Sequence, residues 1–597
     1  MKRFQANLTN PIKDYLPLKE YFIENSRALI VGFILMILMD FLQALVPLVI
    51  KKAIDFLTLQ SSGHLVLLKQ GLTILGISLL IAVLRYIWRY LLIGHSRIVE
   101  EALRNKLFDH IQSLSFSFYK RTKTGDIMSR AINDLIAVRM ATGFGLIAMI
   151  DGIFLGAAAV GFMISINMKL TLISLIPTPI IIILTKHLTR RMSLEFESVQ
   201  KAFSGLTEMV REAFAGVRVI KAYNREKWEK GRLKIVGEDY IDSNMRLAKS
   251  LALFFPIMAI FTNAGLAIVI WFGGRQTILG DITTGDFVAF ISYLNLLTWP
   301  MMAMGWVANL IQRGAASMRR VSQILNEKPE IKDAVDPIIL GETCGDIQIS
   351  GLTFSYYGDT RKALKNIDCN INHEETLAIV GKVGAGKTTL LHILPRLLEF
   401  VEGSILVDGI DIKDIALHSL RMNIGFVSQE IFIFSDTIRN NLLLGREGID
   451  QSRIEEALET AQLLEETKSF EKGLDTLLGE RGITLSGGQR QRLSIARALI
   501  TDPPLLILDD ALSMVDTETE EKILDRILKV RGKRTNLIVS HRITTISRAD
   551  RIIVLDRGMI LEQGTHESLL EKGGMYKALY EKQLLARELE FGSKSRY

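Results

Sequence analysis

The sequence predicts a chain of two parts, an α-helical membrane domain with six transmembrane helices followed by an α/β domain. Six long apolar runs occupy the first half of the chain, and each covers the roughly 20 residues that a lipid bilayer core requires. Beyond residue 326, short strand-like runs alternate with helical ones, which is typical of a largely parallel sheet. The length of 597 residues, with 48% hydrophobic and 23% charged residues, fits this combination.

The charge pattern around the apolar runs predicts their orientation. Lys and Arg residues are concentrated between the second and third runs and between the fourth and fifth. The connection between the third and fourth runs carries only Lys169, and that between the fifth and sixth carries only Arg275. The connection after the first run departs from this pattern, because it begins with Lys51 and Lys52. Because positively charged connections stay on the cytoplasmic side, both termini and the α/β domain are expected in the cytoplasm. The chain is therefore predicted to be a multi-pass protein of the cell membrane. The six runs cover about residues 28–50, 65–93, 140–166, 170–188, 251–272 and 286–311.

Composition also excludes some classes of protein. The net charge of +7 is modest for this length and no nucleic-acid motif is present, so nucleic acid is not an expected partner. The two cysteines, Cys344 and Cys369, are too few for a disulfide framework. The predicted domains are a membrane domain at 1–325, a linker at 326–344, an α/β domain at 345–585 and a C-terminal tail at 586–597.

A phosphate-binding loop opens the α/β domain. Residues 381–388 read GKVGAGKT between a strand-like run and a helical run, which matches G-x-x-x-x-G-K-[ST]. In such a loop, backbone N–H groups converge on the β-phosphate, Lys387 neutralises the β- and γ-phosphates, and the Thr388 hydroxyl ligates Mg²⁺. The sequence therefore predicts a P-loop ATPase fold that binds ATP and Mg²⁺. The predicted ATP-binding residues here are Gly381, Lys382, Val383, Gly384, Ala385, Gly386, Lys387, Thr388 and Thr389.

A second nucleotide element follows at residues 505–510, which read LLILDD. An apolar strand that ends in two acids is typical of a buried strand that delivers a carboxylate to a metal site. Asp509 is therefore predicted to belong to the Mg²⁺ shell.

The stretch Leu485–Leu499, LSGGQRQRLSIARAL, resembles the signature of the ATP-binding cassette (ABC) family. The resemblance implies that a hydroxyl and backbone N–H groups at a helix N-terminus bind the γ-phosphate of an ATP held by the opposite subunit. One ATP would thus be clamped between two chains. The predicted signature residues are Leu485, Ser486, Gly487, Gly488 and Gln489.

Other segments resemble the same family in the same order. The resemblance implies that Tyr356 stacks on adenine, with Tyr357 as the less favoured choice, and that Gln429 contacts Mg²⁺. It also implies that His541 contacts the γ-phosphate and takes part in catalysis. Residues 476–482, TLLGERG, match a segment that is specific to exporters.

The membrane half resembles ABC exporters as well. Residues 118–139 and 212–229 look like the two cytoplasmic coupling loops, and the family carries on each a short helix that lies across an ATP-binding domain. The resemblance covers nearly the whole chain. It implies an exporter-type membrane domain fused ahead of the ATPase domain, as one half of a dimeric transporter.

One position departs from the family pattern. The residue after Asp509 is normally Glu, the general base that polarises the attacking water, whereas this chain has Asp510. Asp is shorter by one methylene, roughly 1.5 Å of reach, and a misplacement of ~1 Å can cost ~10²-fold in rate. We therefore expect ATP to bind at this chain's own site and to be hydrolysed slowly there.

The same departure suggests the kind of partner. The signature residues are intact, whereas the position of the general base carries the shorter Asp510. This combination favours an asymmetric heterodimer, in which a different half-transporter supplies the catalytic Glu. The alternative is a homodimer in which Asp510 suffices.

The leading functional hypothesis is multidrug-type export of hydrophobic small molecules by alternating access. A lipid flippase, or a regulatory ATP-binding membrane protein that does not pump, remains open. Asp40 and Asp151 lie inside apolar runs, where three roles are open: contact with a cationic substrate, pairing with Arg85 or Arg89, or a position near the lipid headgroups.

Overall fold

The computed structural model describes residues 11–594, except 59–63, 342, 480, 481, 483 and 533. These residues form two compact units. The first comprises the chain up to Gln112 together with Thr124–Glu327, and the second comprises Ser113–Lys123 together with the chain from Lys328 onward. A short segment between two helices of the first unit therefore packs as part of the second.

The described part of residues 11–325 is helical almost throughout. Three five-residue π-helical segments, Arg130–Asp134, Ala141–Gly145 and Val269–Gly273, interrupt the regular α-helices. The helices are α1 (Pro11–Asp14), α2 (Lys19–Glu24), α3 (Ser26–Thr58), α4 (His64–Ser113), α5 (Phe116–Arg121), α6 (Thr124–Ser129), α7 (Leu135–Met140), α8 (Leu146–Ile166), α9 (Met168–Ser174), α10 (Pro177–Ala215), α11 (Val217–Ala222), α12 (Glu226–Ile268), α13 (Gly274–Leu279) and α14 (Thr284–Leu325).

Four helical stretches within the described residues are long and apolar enough to cross a membrane. They coincide with the first four predicted runs, and the fifth and sixth runs lie within α12 and α14. The predicted helical membrane part followed by an α/β part is thereby confirmed. The four stretches are Ser26–Thr58, His64–Ser113, Thr124–Ile166 and Met168–Ala215.

The charged stretches that follow the second and fourth runs are mostly helical extensions of those runs. Helix α4 has 50 residues, about 75 Å at 1.5 Å per residue, which exceeds a bilayer core of about 30 Å. Its charged half keeps an apolar stripe, because Val99, Leu103 and Leu107 recur every four residues and are buried. The stretch after the second run continues through the short helices α5, α6 and α7, and the stretch after the fourth run is interrupted by α11.

The first unit has its core where α14 packs against α3 and α8. The Tyr293 hydroxyl on α14 donates a hydrogen bond to the Ala44 carbonyl of α3 at 2.8 Å. On α3, Asp40 is only 1% exposed, and its carboxyl lies within hydrogen-bond reach of the Asp151 carboxyl on α8. In this conformation the helices shield Asp40 from compounds outside them.

The second unit contains two sheets where one largely parallel sheet was expected. A six-stranded sheet has the order β10-β9-β3-β8-β7-β6, and only its edge strand β10 is antiparallel to its neighbour. A four-stranded antiparallel sheet has the order β2-β1-β4-β5. The strands are β1 (Ile347–Ser355), β2 (Lys362–Ile371), β3 (Thr376–Gly381), β4 (Glu402–Val407), β5 (Ile410–Asp411), β6 (Ile424–Val427), β7 (Leu505–Asp509), β8 (Thr535–Val539), β9 (Arg551–Asp556) and β10 (Met559–Gly564).

The largely parallel sheet that the sequence predicted is the six-stranded one, but the runs that form β1 and β4 belong to the second, antiparallel sheet. Side chains along β1 and β2 largely alternate between buried and exposed, as in a sheet with one face in solvent, whereas β3, β7 and β8 are buried throughout. The helices of this unit besides α5 are α15 (Lys387–Ile393), α16 (Leu417–Met422), α17 (Ile438–Leu443), α18 (Gln451–Thr460), α19 (Leu464–Ser469), α20 (Gly487–Leu499), α21 (Thr517–Val530), α22 (Ile543–Ile546), α23 (His566–Lys572) and α24 (Met575–Lys594).

The order of the parallel strands explains how the site assembles. Strands β3, β8, β7 and β6 are successive neighbours, so their carboxyl ends lie along one edge. The phosphate loop follows β3, His541 follows β8, Asp509 ends β7 and Gln429 follows β6. Ligands of open α/β sheets bind at this edge.

Candidate active site

The phosphate loop curls around its own lysine. Lys387 is buried, and its ammonium donates hydrogen bonds to the carbonyls of Gly381 at 2.8 Å and Lys382 at 3.0 Å. Gly386 has φ +105°, and a Cβ there would lie 2.8 Å from the Ala363 carbonyl oxygen. Glycine is therefore required at Gly386, which leads the chain from the loop into α15.

The remaining loop residues divide into an outward and an inward set. Lys382, Val383 and Gly384 are exposed, whereas Ala385 and Thr389 are buried. Burial lowers the pKa of Lys387, while the nearby Asp509 and Asp510 carboxylates raise it. The charge of a bound phosphate would act in the same direction as these carboxylates and keep the ammonium protonated.

Two oxygen ligands fit a magnesium ion: the Asp509 carboxylate at the end of β7 and the Thr388 hydroxyl on α15. Asp509 is 1% exposed; its Oδ1 accepts a hydrogen bond from the Thr388 hydroxyl at 3.3 Å, and its Oδ2 has no partner among the described residues. Burial raises the pKa of Asp509, and the hydrogen bond from Thr388 lowers it. An unpartnered carboxylate oxygen beside a hydroxyl is what Mg²⁺ requires when phosphates supply further ligands.

Asp510 has an unusual backbone conformation next to these groups. Its φ is +51°, in the left-handed region, and its backbone N–H donates to the Val539 carbonyl of β8 at 2.9 Å. Burial raises the pKa of its carboxyl, opposed by His541 and Lys387. The carboxyl thus lies near His541 and the phosphate-loop residue Lys387, at the sheet edge where a water-polarising base would act.

The loop after β8 is fixed by the residue next to His541. Arg542 pairs with the buried Glu520 and donates a hydrogen bond to the Val515 carbonyl at 2.9 Å. The backbone carbonyl of His541 accepts a hydrogen bond from Gln583, and the His541 side chain is exposed. The imidazole is therefore free to approach a ligand from the sheet edge.

Tyr356, and not Tyr357, lies against the phosphate loop. Its hydroxyl is 2.9 Å from the Thr389 hydroxyl, and Phe354 packs edge-on against its ring at 5.0 Å. Tyr357 is 82% exposed. Of the two candidates for the adenine platform, the structure places only Tyr356 beside the nucleotide loop.

Gln429, the third predicted metal ligand, follows strand β6. Its side chain is exposed just beyond β6 and has no hydrogen bond among the described residues. It lies at the same sheet edge as Asp509, since β6 and β7 are neighbours.

The signature residues form a separate surface. Ser486 caps α20: its hydroxyl accepts the Gln489 N–H at 3.2 Å, and the Gln489 side chain accepts the Ser486 N–H at 2.8 Å. Leu485 is buried, whereas Ser486 is exposed. Within the described residues, no hydrogen bond joins this surface to residues 381–389. In the exporter-type segment 476–482, Glu480 and Arg481 lie outside the described residues.

The glycines of the signature lie against the loop Ser513–Asp516. A Cβ on Gly487 would lie 3.2 Å from the Met514 sulfur, and a Cβ on Gly488 would lie 3.2 Å from the Met514 carbonyl oxygen. Larger residues would therefore push this loop away from α20.

Sequence reasoning missed Gln491, which holds α20 to the same loop. Gln491 is fully buried; its amide donates to the Ser513 hydroxyl at 3.0 Å and accepts the Met514 N–H at 2.7 Å. The available signal was its position on the face of α20 that carries the apolar residues Ile495 and Ala498, four and seven residues later.

Comparison with known families accounts for both halves of the chain. A model described as the ABC transporter transmembrane region matches residues 29–301. A second model, described as ABC transporter, matches residues 364–513. The two matches occur in the order that the sequence predicted.

Individual relatives align over most of their length. A probable multidrug resistance ABC transporter ATP-binding/permease protein, YheI of Bacillus subtilis, is 37% identical over 86% of this chain and 87% of its own. An ATP-dependent lipid A-core flippase of Desulfotalea psychrophila is 36% identical over 86% of this chain and 89% of its own. The solved structure of a bacterial Atm1-family ABC exporter with ATP bound is 27% identical, with a TM-score of 0.77, over 94% of this chain and 98% of the exporter chain.

Proposed function

This chain belongs to the ABC transporter family, and from that premise we propose that it is one half of an ATP-driven exporter of hydrophobic or amphipathic compounds. One observation carries the proposal. The chain holds a phosphate loop with Lys387, Thr388 and Asp509 in place, while its signature serine, Ser486, lies exposed on a separate surface. Two chains are then needed to complete one ATP site.

Each residue of the chain's own site has a distinct role in this proposal. Lys387 leaves the loop carbonyls to neutralise the β- and γ-phosphates, and Tyr356 supports the adenine ring. Thr388 and Asp509 would hold Mg²⁺, with Gln429 approaching on closure. When bound, the ion neutralises phosphate charge. Asp510 would polarise the attacking water, with His541 beside the γ-phosphate.

The short carboxylate at position 510 makes this chain's own site the slow one. The partner is a different half-transporter whose matching position is Glu, and Ser486 of this chain completes the partner's faster site. The test is ATP turnover by this chain expressed alone in lipid nanodiscs. Slow turnover supports the asymmetric dimer, and robust turnover favours the homodimer.

Exposed apolar side chains at the far end of the α10–α12 pair support a partner chain. Phe214, Val219 and Tyr223 are 74%, 61% and 75% exposed around the short helix α11. A monomer gains nothing from leaving such residues in water. We assign this surface to the ATP-binding domain of the second chain, with α11 as a coupling helix.

Transport follows from the preference of ATP for the closed dimer. A ligand shifts a conformational equilibrium only by its differential affinity, so ATP clamped by two chains favours the closed state. The coupling helices then switch the membrane helices from an inward-facing to an outward-facing cavity in the cell membrane. The termini and the ATPase domain are placed in the cytoplasm.

Transport itself is tested with inverted membrane vesicles that contain the chain and its co-purified partner. ATP-dependent accumulation of a cationic amphipathic dye supports multidrug export. A labelled phospholipid tests the flippase alternative, which the similarity to the lipid A-core flippase favours. If neither compound moves while ATP still binds, the chain is a regulatory ATP-binding protein and the pump proposal fails.

A further inference from the structure

Lys120 lies over the ring of Tyr356, the candidate adenine platform. It belongs to the segment Ser113–Lys123, which contains helix α5 and is called the coupling segment below. The Lys120 ammonium, on α5, is 4.6 Å from the centroid of the Tyr356 ring and 5.2 Å from the centroid of Phe116. Lys120, Phe116 and Tyr356 all belong to the second unit. At this distance an ammonium is attracted to the electron-rich face of an aromatic ring.

Other contacts restrict where a base can reach Tyr356. The hydroxyl of the ring is engaged with Thr389, and Phe354 packs edge-on against the ring. A cavity of about 750 Å³ opens beside Tyr356 and is lined by Lys120 itself. The ammonium therefore lies in the space through which a flat base would approach the ring.

We propose that Lys120 and the base of the nucleotide compete for Tyr356, so that Lys120 lowers the affinity of this site for nucleotide and leaves the ring when the base stacks. The inference deepens the proposed function and rests on Tyr356 being the base platform. Lys120 is a positioning residue here, since it acts on binding through Tyr356.

The displaced ammonium has acceptors nearby. The carboxylates of Glu330, Asp359 and Glu399 line the same cavity. A lysine side chain reaches several such positions by rotation about its four-carbon stem. Moving Lys120 from the ring to a carboxylate therefore avoids leaving its charge without a partner.

The coupling segment also contacts the helix that follows the phosphate loop. The Phe116 ring meets the His392 ring of α15 edge-on at 5.8 Å, and His392 is 5.6 Å from Phe426. Burial, and then the charge of Lys120, lower the pKa of His392. Helix α5 thus contacts both the base platform and the phosphate helix, and base binding would remove only the first contact.

The test compares nucleotide with a ligand that lacks a base. Binding of ATP and of inorganic tripolyphosphate, each with Mg²⁺, is measured by calorimetry on the full chain with its partner in nanodiscs. A cation–π contact of this kind is worth about two- to fivefold in affinity. Lys120→Ala is expected to tighten ATP binding by that factor and to leave tripolyphosphate unchanged. Lys123→Ala, which removes the same charge from the same segment, is expected to change neither.

Lys120→Met keeps the apolar stem and removes only the charge, so it is expected to reproduce the result if Lys120→Ala fails to fold. Unchanged or weaker ATP binding in a folded Lys120 variant would overturn the competition. Tyr356→Ala separates this failure from that of the proposed function. If Tyr356→Ala changes neither ATP nor tripolyphosphate affinity, Tyr356 is not the base platform. If it weakens ATP binding alone while the Lys120 variants leave ATP affinity unchanged, only the proposed competition is wrong.

Discussion

The phosphate-loop site and the signature surface of this chain differ in completeness. The first gathers Lys387, Thr388 and Asp509 around a buried, unpartnered oxygen, but its base, Asp510, is one methylene short. The second has its capped helix and both glycines, with Ser486 exposed. Under the proposed function, the chain therefore binds ATP at a site with a weak base and offers its signature surface to a partner chain.

If the proposed function holds, ATP binding and ATP hydrolysis depend on separable features of the chain. Binding depends on a loop whose geometry is set by backbone and glycine, whereas hydrolysis depends on the reach of a single side chain. The comparison predicts that variants of the two regions will affect different sites of the dimer.

The largest effect is expected from Lys387→Ala. Losing the charge-assisted hydrogen bonds to two phosphates should weaken ATP binding at this chain's own site by roughly 10³-fold. Equilibrium binding of labelled ATP measures the loss. Lys382→Ala keeps the backbone N–H through which the loop would bind phosphate and removes only an exposed side chain, so it should bind ATP nearly as wild type. An equal loss in both variants would contradict the role given to Lys387.

The next effect concerns hydrolysis alone. Asp510→Glu restores the missing methylene and should raise kcat of the chain expressed alone by up to ~10²-fold with little change in ATP affinity. Asp510→Asn should remove hydrolysis and keep binding. If Asp510→Glu is no faster than the wild type, the short carboxylate does not limit the rate.

Ser486→Ala should act on the other chain's site. Loss of one hydroxyl to a charged phosphate should slow hydrolysis at the partner's site about tenfold, while ATP binding at this chain's own phosphate loop stays unchanged. Ser486→Asn retains a good helix cap and should be as slow as the alanine variant. Full activity of the Asn variant would show that Ser486 serves only the helix.

The smallest effect is expected on stability. Gln491→Ala removes the two hydrogen bonds that the fully buried Gln491 side chain makes with Ser513 and Met514. Their loss should cost about 1–3 kcal/mol and lower the unfolding midpoint of this domain by about 2–12 °C. Gln563→Ala, on an exposed edge-strand position, serves as the control. Equal midpoints for the two variants would show that the Gln491 contacts contribute little.

The sequence predicted features that depend on local chain geometry. The glycine loop, the strand that ends at Asp509 and the capped signature helix each lie within about ten residues, so spacing reveals them. The antiparallel sheet was missed because β2 reads KALKNIDCNI, whose polar residues hide a half-buried strand.

Contacts between distant segments were also beyond sequence reasoning. The Lys120–Tyr356 pair and the Gln491 contacts with residues 513 and 514 form only when the tertiary fold brings separate elements together. Their residue types are common on protein surfaces, so neither spacing nor composition distinguishes them. The fold and the phosphate loop are therefore readable from the sequence, whereas the contacts that tune them are not.

Cross-linking from position 486 tests the shared ATP site most directly. A photoreactive amino acid replaces Ser486 in the complex extracted from membranes, and the products formed with Mg²⁺ and ATP are identified by mass spectrometry. The account predicts an ATP-dependent cross-link to the phosphate loop of a separate polypeptide. Products confined to this chain's own peptides, unchanged by ATP, would contradict it.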